Sequence, residues 1–158
     1  MSSRWKPAVT VAAVIERGGR FLLVEENTSD GLRINQPAGH LEPHESLLDA
    51  VVRETLEESA YDFTPTALLG TYLAPNFSGG AQSGVTYLRF AFAGTLGQQH
   101  ERALDHGIVR TLWLTRDEVA ACGERHRSPL VLTCIDDYLS GRRGSLDLLY
   151  AHPALYAQ

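Results

Sequence analysis

Glu54, Glu57 and Glu58 restrict this chain more than any other residues, because their spacing and their charge work against each other. Intervals of three and four bring all three carboxylates onto one side of a helix, one above another. Like charges placed this way repel and weaken the helix that groups them. A fold that keeps such a cluster needs something positive beside it. The surrounding segment is otherwise a well-specified helix. Ser46 is a suitable N-cap, with Asp49 three residues on as the acidic half of a capping box. Leu48, Val51, Val52, Thr55 and Leu56 form a mostly apolar stripe for a core, with the carboxylates expected on the other side. Arg53 projects between the two faces, placed to pair with Glu45 from the preceding loop. Gln36 to His40 reads as a tight turn, where Gly39 permits positive φ or a close approach to a ligand.

Hard divalent cations take oxygen ligands, and Mg²⁺ is commonly held by a few carboxylates together with substrate phosphates. Three glutamates alone are weak grounds for such a site, since most acidic helix faces are simply solvated. The order of residues around them narrows the choice. Gly39, then Glu45, then Arg53-Glu54, then Glu57-Glu58 resembles the Nudix hydrolase signature G-x5-E-x7-R-E-U-x-E-E-x-G-U, with U a bulky aliphatic. Thr55 departs from the pattern at an aliphatic position, Ala60 replaces the glycine at the helix end, and Tyr61 closes the motif. Ala60 carries strain if that position needs φ > 0. Outside the box, Trp5-Lys6-Pro7, Val9 to Ile15, Phe21 to Glu26, Asn35 to Glu42, Leu88-Arg89-Phe90, Trp113 and Arg127 to Val131 are similar to the NudJ-type phosphatases of that family. The similarity covers nearly the whole chain.

The resemblance implies an α/β (α+β) fold, an α/β/α sandwich with a mixed β-sheet and a loop-helix-loop box. It implies hydrolysis of a phosphoanhydride by a metal-activated water. Glu54, Glu57 and Glu58 then ligate one or more Mg²⁺, with Mn²⁺ as the alternative ion, and the backbone carbonyl of Ala38 or Gly39 adds a ligand. One box glutamate, or a carboxylate outside the box, takes the proton from water. Asp105 is the outside candidate, though an exposed loop acid is an equally good reading of it. Glu45 and Arg53 orient the loop against the helix. The implied substrates are nucleoside di- and triphosphates, together with the pyrophosphate of the thiamine pyrimidine precursor or thiamine pyrophosphate. Two other readings stay open. One is a Nudix hydrolase of ADP-ribose or dinucleoside polyphosphates. The other is a non-catalytic nucleotide-sensing module, against which the full set of box carboxylates speaks. For substrate contacts, Arg4, Lys6 and Arg89 are candidates for phosphate, and Tyr72, Phe77 and Tyr87 for stacking on a ring.

A chain of 158 residues is long enough to bury its own core, and one domain over 1–158 is expected. The net charge is −5 and no basic stripe is evident, which argues against duplex nucleic acid as a partner. A small phosphate-bearing substrate remains compatible, its charge bridged by the cation. Cys122 and Cys134 show no metal-ligand spacing and read as idle thiols of a reducing cytoplasm. No apolar run has the length of a signal or a membrane span. A monomer or homodimer is expected. His40 and His44 read as solvent-facing loop histidines. Neither a Walker-type phosphate loop nor a nucleophile elbow is present.

Along the chain, strands are expected at Val9 to Ile15, Arg20 to Glu25, Thr66 to Leu73 before Pro75, Val85 to Ala93 and Ile108 to Leu114. Asn27 to Leu32, Asn76 to Gly84 and Gln98 to Gly107 read as loops. Thr115 caps a short helix, and Ser128-Pro129 opens a longer one that runs to about Leu139 and closes near Gly141.

Overall fold

The computed structural model describes residues 2–77 and 84–157. Its strands are β1 (Ala8–Val14), β2 (Glu16–Arg17), β3 (Arg20–Thr28), β4 (Gly31–Asn35), β5 (Ala38–His40), β6 (Tyr61–Pro75), β7 (Thr86–Gln99) and β8 (Ile108–Thr115). Its helices are α1 (Leu47–Ser59), α2 (Arg116–Ala121) and α3 (Leu130–Leu139), with three short 3₁₀ turns. One sheet runs β5-β1-β7-β6 and is mixed, because β1 and β7 pair in parallel. The other is antiparallel, with β3 pairing β2, β4 and β8.

Alternation along the strands builds three layers. Val11, Ala13 and Ile15 point to one side, where they meet Ala50 and Val51 of α1 together with Phe63 and Phe92. Val14 points to the other side, toward Val119 of α2 and Val131, Cys134 and Ile135 of α3. Leu22 joins the first cluster, while its neighbours Phe21 and Leu23 join the second. The expected α/β/α sandwich with a mixed sheet is what forms. The capping box expected at Ser46 with Asp49 closes on α1, and Thr115, expected as a cap, closes a second box with Glu118 on α2.

Several boundaries differ from the sequence reading. Asn27 to Leu32 is not a loop but the tip of the β3–β4 hairpin, turned at Ser29-Asp30 with Gly31 at φ 96°. Exposed strand ends carry the polar residues that look like loop in sequence. β6 begins directly after α1 and β7 runs on to Gln99, so their pairing extends well past the apolar cores from which they were read. Gly39 belongs to β5, opposite Val11, rather than to a tight turn. The loop read at Asn76 to Gly84 lies mostly outside the described residues. On α1 the apolar stripe is shifted: Val52 is exposed, and the buried set is Ala50, Val51, Glu54, Thr55, Glu58 and Ser59. Two of the box carboxylates therefore lie on the buried side of the helix, not opposite it. Thr55 fits in place of an aliphatic residue because its hydroxyl donates to the Val51 carbonyl at 2.7 Å. Ala60 does adopt the left-handed conformation, at φ 65°.

Candidate functional site

The positive counterpart that the glutamate cluster requires is supplied from within the chain. Arg53 grips Glu45 with a two-bond fork, Nε donating to Oε2 at 2.9 Å and Nη2 to Oε1 at 2.7 Å. Nη2 also donates to the His40 carbonyl at 3.0 Å. Nη1 donates to Glu54 at 2.8 Å and to Glu57 at 3.2 Å. One guanidinium thus ties the box loop to α1 and offsets repulsion between two of the three carboxylates. Hydrogen bonding from Arg53 holds the Glu45 carboxyl below its usual range. The expected orienting role of Glu45 and Arg53 has this geometry behind it.

The third carboxylate is held by backbone. The Ala38 N–H donates to Glu58 at 2.8 Å. Burial pushes the Glu58 carboxyl up to about 8, against the pull of that N–H, with the charges of Glu54, Glu26 and Asp105 adding to the rise. Glu54 is also raised, mainly by burial, opposed by Arg53 and assisted by Glu57 and Asp105. Gly39 explains why the strand can lie so close. A Cβ there would sit 2.1 Å from the Glu54 carboxylate, so only glycine fits without displacing it. The close approach expected of Gly39 is thus to a side chain of the box.

These groups border a cavity of about 380 Å³. Glu54, Glu58, Glu26 and Glu42 line it with acidic groups, and Arg89 and Arg127 with basic ones. Among the sequence candidates, Phe77, Tyr87 and Arg89 line it together with the backbone of Ala38 and Gly39. Glu57 does not line it and is turned to Arg53. Arg4 and Lys6 lie on the exposed N-terminal segment and do not reach the cavity wall. Tyr72 does not line the cavity either. It packs on the second core cluster and donates its hydroxyl to Asp137 at 2.7 Å, and burial with that bond raises its phenol. Asp105 is exposed, but its N–H donates to the Glu57 carbonyl at 2.8 Å, which fastens the loop before β8 to the box helix. His40 is exposed, as expected, but it stands on β5 rather than in a loop and lines the cavity, its ring 6.1 Å from that of Tyr87. His44, at φ 66°, donates from Nδ1 to the Leu155 carbonyl at 3.2 Å.

Glu26, Asn35 and Arg127 are not among the site candidates from sequence, although each falls in a segment similar to the NudJ-type phosphatases. Glu26 and Arg127 form an ion pair at 3.2 Å on the cavity wall, although they stand about a hundred positions apart in the chain. Beyond that similarity, the sequence marks them only by polarity at the end of an apolar strand and just before a helix start.

No three carboxylate or imidazole groups converge to ligand distance among the described residues. The donor set nevertheless fits a hard cation. Two buried carboxylates share one cavity wall with a strand whose backbone approaches them closely, and every donor is oxygen.

Residues 4–133 match the family model described as the NUDIX domain, and the chain belongs to that family. It is a Nudix-type pyrophosphohydrolase. It is 36% identical over 148 residues to Phosphatase NudJ of Escherichia coli, covering 92% of each chain. A NUDIX hydrolase from Nitrosomonas europaea superposes with a TM-score of 0.87 at 48% identity, over 93% of this chain and 98% of that one. A MutT protein from Methanosarcina mazei, at 21% identity and a TM-score of 0.65 over 89% of this chain and all of that one, shares the fold. The chain is a Nudix hydrolase of the NudJ type.

Proposed function

We propose that this protein is a divalent-cation-dependent hydrolase of phosphoanhydride bonds in small phosphorylated molecules. The proposed substrates are nucleoside di- and triphosphates and the pyrophosphate of the thiamine pyrimidine precursor or of thiamine. The observation that carries the reading is the pair Glu54 and Glu58, buried against the β5 backbone and bordering the cavity. Carboxylates held this way, raised by their own burial, favour an incoming cation. The similarity to Phosphatase NudJ supports the choice of substrates.

In this reading Glu54, Glu57 and Glu58, with the carbonyl of Ala38 or Gly39, hold Mg²⁺, or Mn²⁺ in its place. A bound cation supplies charge withdrawal from the phosphoryl oxygens and a lowered pKa for water. One of the box glutamates, or Asp105 outside the box, would take the proton as the water oxygen attacks phosphorus and the bridging P–O bond breaks, the leaving phosphate departing with the bridging oxygen. Glu45 and Arg53 keep the loop and helix aligned, so that the reacting groups meet without reorganisation. Phe77 and Tyr87 offer faces to a ring, and Arg89 a positive wall. The chain acts as one domain over 1–158, in the cytoplasm, as a monomer or homodimer. No described helix is long and apolar enough to cross a membrane.

A phosphate-release screen with Mg²⁺ tests this, run over nucleoside di- and triphosphates, thiamine esters, ADP-ribose and dinucleoside polyphosphates. Orthophosphate released from nucleoside triphosphates or thiamine pyrophosphate is the expected outcome. Release of pyrophosphate alone, or turnover confined to ADP-ribose or dinucleoside polyphosphates, goes against it. Binding without turnover of any compound makes the protein a sensor instead.

A further inference from the structure

The sheet register sets His40 of β5, Thr10 of β1 and Arg89 of β7 in one row, and all three border the cavity. Adjacent strands lie about 4.8 Å apart, so the Arg89 backbone stands about 10 Å from that of the box strand. Arg89 is only 6% exposed. Nη1 donates to Gln36 Oε1 at 3.0 Å and to Cys134 Sγ at 3.7 Å, and Nη2 donates to Asn35 Oδ1 at 2.9 Å. These acceptors are all neutral, and no carboxylate among the described residues forms an ion pair with it. The cradle is firmly built. Gln36, 1% exposed, donates its own Nε2 to the Val131 carbonyl at 2.8 Å, and Asn35 Oδ1 also accepts the Gln36 N–H at 2.9 Å. A guanidinium carries five N–H donors and no acceptor. Three are engaged here, and the others have no partner among the described residues. A buried cation without a counter-charge is unfavourable until an electron-rich group reaches it. Asn35, Phe77 and Tyr87 line the same cavity.

We infer that Arg89, held by Asn35 and Gln36, is a specificity-determining residue that receives the acceptor-bearing edge of a heterocyclic ring. That ring is the non-reacting end of the substrate, lying against Tyr87 or Phe77 while the phosphates reach the box glutamates. The inference rests on the hydrolase reading and narrows it. The substrate ends in a ring with carbonyl oxygens or unprotonated ring nitrogens on its edge. Phosphate oxygens share this acceptor chemistry, so the test must separate the two ends of the substrate.

Two variants do so. Asn35→Asp gives Arg89 a carboxylate at an existing contact, and Arg89→Gln removes the cation. Each is compared with the parent on a nucleoside triphosphate and on inorganic tripolyphosphate, which has no ring. The ratio of the two kcat/KM values is expected to fall at least tenfold in both variants, mainly through KM for the nucleotide. A ratio that stays put while both activities decline would mean that Arg89 meets the phosphate chain or serves the fold alone, and it overturns the inference. In parallel, calorimetry in EDTA measures binding of the ribonucleoside monophosphates and thiamine monophosphate. Binding by the parent that weakens at least tenfold in Asn35→Asp supports the inference, whereas no binding by the parent, or equal binding by both, refutes it. If the parent hydrolyses neither polyphosphate, the hydrolase reading fails by itself, and the calorimetry still decides the role of Arg89.

Discussion

Replacing Glu58 with glutamine removes the charge that the metal-free fold tolerates least, while keeping an oxygen to accept the Ala38 N–H now at 2.8 Å. The Glu58 carboxyl is raised from 4.5 to about 8 in the folded protein, chiefly by burial. Between those values the folded chain keeps a proton that the unfolded chain releases. Stability conferred by this group is thus whole below pH 4.5 and drains away as pH climbs toward 8. Each pH unit in that window costs about 1.4 kcal/mol, so the full loss is of the order of 4–5 kcal/mol. Urea midpoints measured in EDTA from pH 5 to pH 9 read this directly. The parent is expected to lose stability steeply over the range. Glu58→Gln should match the parent near pH 5, follow a flatter curve, and exceed it by several kcal/mol at pH 8.5. A shallow slope persists in the variant because burial raises Glu54 and Glu26 as well. Adding Mg²⁺ at pH 8.5 should restore the parent and leave the variant almost unmoved. Parallel curves for the two proteins in EDTA would refute the account of Glu58 as a buried, charge-starved carboxylate.

Glu57→Gln keeps the shape of the side chain and should lower kcat at least a hundredfold with Mg²⁺ saturating. Near-normal turnover would remove Glu57 from the proposed metal site. Gly39→Ala places a methyl 2.1 Å from the Glu54 carboxylate, so the Mg²⁺-induced rise in melting temperature should shrink or vanish. An unchanged rise would show that β5 yields freely. Ala60→Gly relieves a left-handed alanine at φ 65° and should stabilise the protein by about 0.5–1 kcal/mol in urea. A loss of stability there would mean that the alanine methyl contributes more through packing than its backbone costs.

Local chemistry was legible in the sequence wherever a residue's partner lies within one helical turn or one loop. Ser46 with Asp49, Thr115 as a helix cap, and Arg53 with Glu45 were all readable because spacing alone brings the partners together. The strand cores were readable for the same reason, since β-branched runs alternate only two ways. Partnerships across the fold were not. The helix pattern placed the box carboxylates away from the core, yet Glu54 and Glu58 are buried because the wall they face is a cavity edge rather than apolar packing. Tyr72 looked available for stacking until Asp137, 65 residues away, took its hydroxyl. The Arg89 cradle draws on β4 and its connection to β5 and on α3, so no window of sequence contains it.

The parallel pairing of β1 with β7 has a kinetic consequence. Ala8 lies beside Tyr87 and Val14 beside Ala93, so the first long strand must wait for partners about eighty positions downstream. Closing so large a loop before any contact rewards it slows folding. During synthesis, α1 with its glutamates leaves the ribosome well before the sheet that shields them can close. The glutamate-bearing helix is therefore made early and housed late, and a chaperone that prolongs the life of the nascent chain should raise the yield of folded protein.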